Sequence, residues 1–247
     1  MAAKPPAKKK SAPEPVLPTG ARPSSLEERA AHVRQRLAKA PVDVQEQYAR
    51  LLDMSWIYHD SVLEGVVYTQ LELKAAFDPA DPDVTSQATE SNIQPICDEI
   101  RRHRAALEFA RQWAKRDDIV TIELIREIYH LFRPDDGDSK TVKYRKDIPQ
   151  HRLYFHEYAA PEKIPAKVKA VVDWLNDPET RRTRSPLRVA SRGHYDLLRV
   201  FPFQHDSGKV SRLLLNMLLL RAGYPPAIVD SRERQRYYDA LKGSSAS

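Results

Sequence analysis

Residues 200–226, VFPFQHDSGKVSRLLLNMLLLRAGYPP, constrain the fold of this chain most. They read as a short loop running straight into an apolar helix, Leu213–Leu220 being its longest apolar stretch, broken by Asn216. Such a helix needs other helices closing around it. The rest of the chain supplies them. Ser25-Leu26-Glu27-Glu28 has the capping-box form and predicts a helix to about residue 38. A second helix is expected from Val42 to about His59, with Tyr48, Leu51, Leu52, Trp56 and Ile57 near one face. Thr69-Gln70-Leu71-Glu72 forms another capping box, opening a short helix to Phe77. Ile93, Ile96, Cys97, Ile100, Leu107, Ala110 and Ala114 recur at helical spacing, with Pro95 in the first turn. Further helices are expected over 122–132, 165–175, 186–199, 208–221 and 231–241, with Pro225-Pro226 ending the apolar one. Residues 141–158 are rich in β-branched and aromatic side chains and suggest a short hairpin, although Pro149 argues against a long strand. The class is therefore mainly α with one small hairpin.

With 247 residues and only 7 Gly, the chain fits one helical domain. Residues 1–23 read as a disordered, basic, Pro- and Ala-rich tail, and 24–247 as the single domain. The net charge of +6 is partly tail charge, at Lys4, Lys8, Lys9 and Lys10. Such a tail can cling to anions, but no nucleic-acid motif accompanies it. No apolar run is long enough to span a membrane, and the N-terminus lacks the apolar core of a secretory signal. Cys97 is the only cysteine, which excludes an intrachain disulfide and a Cys-based zinc site and fits a cytoplasmic protein.

Gly208 permits close backbone approach to an anion, and Asp206 or Ser207 can cap the helix that follows. Lys209 and Arg212 are three apart and share the face beside its positive end. Helix-end N–H groups with flanking cations suit a phosphate, with Arg offering a planar fork. On spacing alone, the same residues equally make an ordinary capped helix with two solvent-facing cations.

The segment resembles the signature of the Fic (Fido) family, H-P-F-x-[D/E]-G-N-G-R-x-x-R-L, which falls on Phe201–Leu213. Pro202, Phe203, Gly208, Arg212 and Leu213 match. The resemblance extends through LLLNMLLLRAGYPPAIV to Ser231–Arg234 and Tyr237-Tyr238, and implies a Fic-type helical bundle with a core over about 120–242. It implies that Asp206, Ser207, Gly208, Lys209 and Arg212 bind ATP or another nucleotide-like anion. It implies a flap at about 144–158 that docks a protein target by strand addition. It implies that Glu64, within Asp60–Gly65, pairs with Arg212 and competes with the nucleotide γ-phosphate, because carboxylate and phosphate want the same guanidinium. Asp60 stands where this inhibitory pattern has Ser or Thr.

Phe201 occupies the position of the family's catalytic His, which takes a proton from a target hydroxyl as it attacks the α-phosphate. Phe accepts no proton, and losing a positioned base costs roughly 10²–10⁴ in rate. The metal-binding acid position holds His205, a poor Mg²⁺ ligand. Asp206-Ser207 replace Gly-Asn, and Lys209 replaces Arg. His205 is the candidate displaced base and Asp206 the candidate displaced metal ligand, or both simply satisfy the loop. His194, on the preceding helix, reads as a packed core histidine. The expected function is a degenerate Fic protein that keeps an anion pocket without ordinary AMP transfer. The alternatives are a transferase of altered chemistry, moving AMP, phosphate or sugar to protein hydroxyls, and a basic adaptor acting through tail and flap.

Overall fold

The computed structural model describes residues 25–80, 93–149 and 158–243. They fall into two units, one ending at Lys39 and one beginning at Ala40. The first contributes helix α1, Leu26–Lys39. Its capping box is formed: Glu28 N–H donates to Ser25 Oγ at 3.2 Å, and Ser25 N–H donates to Glu28 Oε2 at 2.9 Å.

The second unit holds α2 (Val42–Leu63), α3 (Gln70–Phe77), α4 (Gln94–Ala114), α5 (Ile122–Phe132), α6 (Ile164–Asn176), α7 (Pro178–Thr183), α8 (Pro186–Val200), α9 (Ser207–Arg221) and α10 (Arg234–Gly243). Helix α9 is the axis, packing against α8, α4 and α5, while α3 and α2 lie on α4 and α6 lies on α8. Ser207 through Met217 is buried without a break. This is why the stretch from Leu213 on is apolar nearly all round: each buried Leu adds about 1.5–3 kcal/mol, and no face there needs solubility. The one amide in the run, Asn216, donates to the Ala227 carbonyl at 3.2 Å and accepts from Ala227 N–H at 2.7 Å, so its burial leaves nothing unmet.

Local signals set most boundaries. Thr69 and Glu72 form the reciprocal box at the start of α3. Pro95 lies in the first turn of α4, where a missing N–H costs nothing. Thr121 and Ser185 cap α5 and α8. In α6, Val168, Val171, Val172 and Leu175 form the buried stripe.

Helix α9 ends at Arg221 as expected, but the stop lies ahead of the prolines: Gly223 turns left-handed (φ 79°) and the Gly223 and Tyr224 N–H groups close onto the Leu220 and Leu219 carbonyls. Other features differ from expectation. Helix α2 continues past His59 to Leu63, ending at Glu64 and a left-handed Gly65 (φ 87°). On α2, Trp56 and Ile57 are buried, but Tyr48 and Leu51 are exposed, so the expected apolar face serves the core only in its C-terminal half. Helix α7 has a plain local cause in its Asp177 cap and following Pro178. No strand occurs among the described residues: Tyr144–Pro149 is irregular, and the remainder of the expected hairpin, 150–157, lies outside them, as does the tail 1–23. No described helix is long and apolar enough to cross a membrane.

Candidate functional site at the start of helix α9

The loop between α8 and α9 is a tight knot. Phe201 closes α8 in the left-handed region (φ 47°), donating its N–H to the Leu197 carbonyl at 3.0 Å. The cost of that backbone, on the order of 1 kcal/mol for a non-Gly residue, is offset by packing. The ring is buried with Tyr195, Leu198, Tyr238 and Leu241, and Tyr158 packs at 4.7 Å. Phe203 turns into the main core and stacks on Tyr129 with centroids 4.1 Å apart. Ser207 Oγ accepts from Phe203 N–H at 2.9 Å and donates to the Phe203 carbonyl at 3.0 Å, cinching the loop from Phe203 to the helix start.

Arg145 fastens this knot from outside. Its guanidinium donates to the carbonyls of Phe201 (2.6 Å), Val200 (3.2 Å), Asp147 (2.8 Å) and Ala159 (2.5 Å). Its own N–H donates to the Pro202 carbonyl at 2.9 Å. Residues on either side of 150–157, the segment expected to form the flap, are thereby tied to the α8–α9 loop.

Arg212 and Lys209 are only 3% exposed, and each faces carboxylates. Arg212 Nη2 donates to Glu64 Oε1 at 2.5 Å, and Arg212 Nε donates to Asp60. Asp60 and Glu64 lie one turn apart at the end of α2, so both reach the same guanidinium. His103 Nε2, from α4, lies 3.3 Å from the other Asp60 oxygen. Burial would push the Asp60 carboxyl up, but the Arg212 charge and His103 outweigh it and hold the group well below the usual carboxylate range. Burial pushes His103 down, which keeps the imidazole neutral.

Lys209 Nζ sits 3.1 Å from Asp206 Oδ1 and 3.6 Å from Glu99 Oε1. The second Asp206 oxygen takes Arg133 Nε at 2.5 Å. Here too burial opposes ionisation, while Lys209 and Arg133 prevail and hold Asp206 low. Asp206 occupies the N-cap position in the left-handed region (φ 50°), but its side chain makes no capping bond. This corrects the expected cap: two cations claim the carboxylate.

The expected anion pocket is filled by acidic side chains, with Glu64 on Arg212. Three cations (Arg133, Lys209, Arg212) meet four carboxylates (Asp60, Glu64, Glu99, Asp206), a formal balance of −1 with all ionised. Ser207, Gly208, Lys209 and Arg212 are all buried. The structure brings the five expected nucleotide-binding residues and Glu64 into one cluster, with their charges already matched. The Asp206 carboxylate, the expected displaced metal ligand, is engaged at both oxygens, one by Arg133 and one by Lys209. His205 is exposed on the loop, and Asp206 is turned away from it to Arg133 and Lys209. His194 is buried, with Nε2 2.9 Å from the Tyr237 hydroxyl, and burial together with the Arg212 charge pushes it down to about 4.

Glu99, His103, Arg133 and Arg145 escaped the sequence reading as site residues. A local signal existed only for Arg145, at the start of the segment expected to form the flap.

A helical bundle wrapped around a buried helix, with a signature loop at its N-terminus and an acidic helix end closing on it, defines a Fic-type domain. The chain belongs to that family: residues 119–219 match the model of the Fic/DOC family. Protein adenylyltransferase fic-1 of Caenorhabditis elegans is 30% identical over 190 residues, covering 75% of this chain and 35% of that protein. Protein adenylyltransferase Fic of Culex quinquefasciatus is 27% identical over 187 residues, covering 75% and 36%. The chain thus spans about a third of the length of these curated relatives. Among solved structures, a Fic-domain-containing signaling protein from Bacteroides thetaiotaomicron superposes with a TM-score of 0.73 at 23% identity, covering 88% of this chain and 81% of that one. Fic-1 from C. elegans gives 0.64 at 23% identity, covering 89% and 63%. These likenesses establish the fold.

Proposed function

We propose that this chain is a self-closed Fic-fold protein that admits a nucleotide phosphate to Arg212 when Glu64 withdraws, and that Phe201 leaves it without the base of ordinary AMP transfer. The relatives are named for adenylyl transfer, so ATP is the nucleotide expected. The observation that carries the reading is the Glu64–Arg212 pair at 2.5 Å, an internal carboxylate on the guanidinium at the start of α9. A phosphate can replace it there, gaining the same fork and the helix N-terminus as well. Phe201 is buried in a cluster with Tyr195, Leu198, Tyr238 and Leu241, and its ring carries no group that accepts a proton. The test is calorimetric titration of ATP into the wild type, Glu64→Gln and Arg212→Ala. Glu64→Gln binds at least tenfold tighter and Arg212→Ala does not bind; equal binding by all three refutes the site.

A second reading is a transferase of altered chemistry, with His205 as base and a protein hydroxyl as acceptor. It is favoured by the exposure of His205 at the loop. In that case incubation with ATP adds mass to a protein target docked along 144–158, and His205→Ala abolishes the addition.

A further inference from the structure

A groove of about 1170 Å³ lies between α6 and α8, and no residue of the Arg212 cluster lines it. Its walls are strongly basic. Lys163 and Lys167, one turn apart, line it from the α6 side, and Arg184, Arg188, Arg192 and Arg199 line it from the α8 side. Asp196 is the one acidic residue lining it, and it is bonded to Arg192 at 2.7 Å. All six cations are exposed, and Lys163, Lys167, Arg184, Arg188 and Arg199 have no ion-pair partner among the described residues. Arg188, Arg192 and Arg199 keep to one helical face over about 16 Å at 1.5 Å per residue.

Aromatic rings are interleaved with these cations. Arg184 sits over Trp174 at 5.8 Å, and Arg192 and Arg199 lie 5.7 and 5.6 Å from the Tyr195 ring. Trp174 and Tyr158 are half-buried in the walls, each leaving part of its ring to the groove, while Tyr195 lies beneath its two arginines as a platform. Buried acids neutralise Arg212 and Lys209, but nothing comparable is provided here. A concave, uncompensated basic track recruits a polyanion, and rings and guanidinium planes along it add stacking surfaces that an acidic peptide does not use.

We propose that this groove binds single-stranded nucleic acid, with the lysines and arginines on phosphates and Trp174 and Tyr158 against bases. The residues come from separate helices, so no linear motif announces them. Four phosphates neutralised would give a slope of roughly −3 in log affinity against log salt.

The test uses the full chain and a fluorescein-labelled oligothymidylate and oligouridylate of about twelve nucleotides, read by anisotropy across a salt series. Lys167 and Arg188 are exposed and outside the core, so Lys167→Glu/Arg188→Glu keeps the fold, checked by circular dichroism. Expected are an affinity loss of at least tenfold in that variant, a salt slope shallower by about 1.4, and quenching of tryptophan emission by either oligonucleotide that disappears in Trp174→Phe. Inorganic polyphosphate of matched charge should bind without that quenching. Absence of oligonucleotide binding at low salt overturns the proposal. So does unchanged binding by the double variant, or a poly-glutamate peptide of equal charge that binds as tightly as the oligonucleotides.

Discussion

Asp60 and Arg212, 152 positions apart in sequence, meet as a buried ion pair, each no more than 5% exposed at its side chain. The family pattern puts a hydroxyl residue where Asp60 stands, and a carboxylate there changes the energetics. A hydroxyl would lend Arg212 a neutral hydrogen bond, whereas Asp60 supplies a full counter-charge before Glu64 adds its own.

That difference separates the two carboxylates by experiment. Asp60→Ala leaves Arg212 buried with only the more exposed Glu64 and should lower unfolding free energy by about 3 kcal/mol. Glu64→Gln, 11% exposed at its side chain, should cost about 1 kcal/mol or less while strengthening ATP binding. Urea denaturation of both variants, read beside ATP titration, checks the split. Equal stability losses would place the two carboxylates on the same footing.

Acid should erode the same pair. The folded-state Asp60 carboxyl lies below its unfolded value, so its stabilisation is complete above the unfolded pKa of about 4. It is lost as pH falls below that through the folded value. Asp60→Asn should therefore flatten the acid limb of a stability–pH curve below about pH 4.

His194 gives a separate window. Its folded pKa is pushed down to about 4 from an ordinary 6.5. The unfolded chain thus binds a proton that the folded one refuses between those values, and stability falls as pH drops from 6.5 to 4. The loss is roughly 3 kcal/mol across that window. His194→Gln, which can keep a hydrogen bond to Tyr237, should remove this slope and leave the Asp60 limb in place.

Arg145 is expected to matter more than its place in an irregular segment suggests. Arg145→Met keeps much of the bulk but deprives the Phe201, Val200 and Ala159 carbonyls of their donor. Unmet buried carbonyls cost about 1–3 kcal/mol each before relaxation. A total near 3 kcal/mol and faster proteolysis between α5 and α6 are expected, and wild-type proteolysis kinetics would contradict the fastening role.

The helices were legible because their signals are local. Thr69 and Glu72 are three apart, Pro95 can sit only in a first turn, and the α6 stripe repeats with the helical period. The contact of Glu64 with Arg212 could be anticipated only through the family pattern, since no spacing rule links residues so far apart. The charge state of the site was not legible at all. Lys209 and Arg212 look like a free cationic pair in sequence because their partners, Glu99 and Asp60, come from α4 and α2, and periodicity tells which face a residue takes but not what packs there. Asp206 misled for a related reason. It stands where a cap belongs, yet two cations outbid a backbone N–H for a carboxylate. The groove between α6 and α8 was invisible because its six cations are scattered over three segments.

Glu64 and Asp60 belong to the same polypeptide as the arginine they hold, so dilution cannot loosen them. A ligand arriving from solution competes with tethered groups whose effective concentration is on the order of millimolar or more. Its success is set by how readily the end of α2 swings aside, not by how much protein is present. At a fixed nucleotide concentration, occupancy of Arg212 should therefore be the same whatever the protein concentration, and only a change that moves α2, or a rise in free nucleotide, will alter the balance.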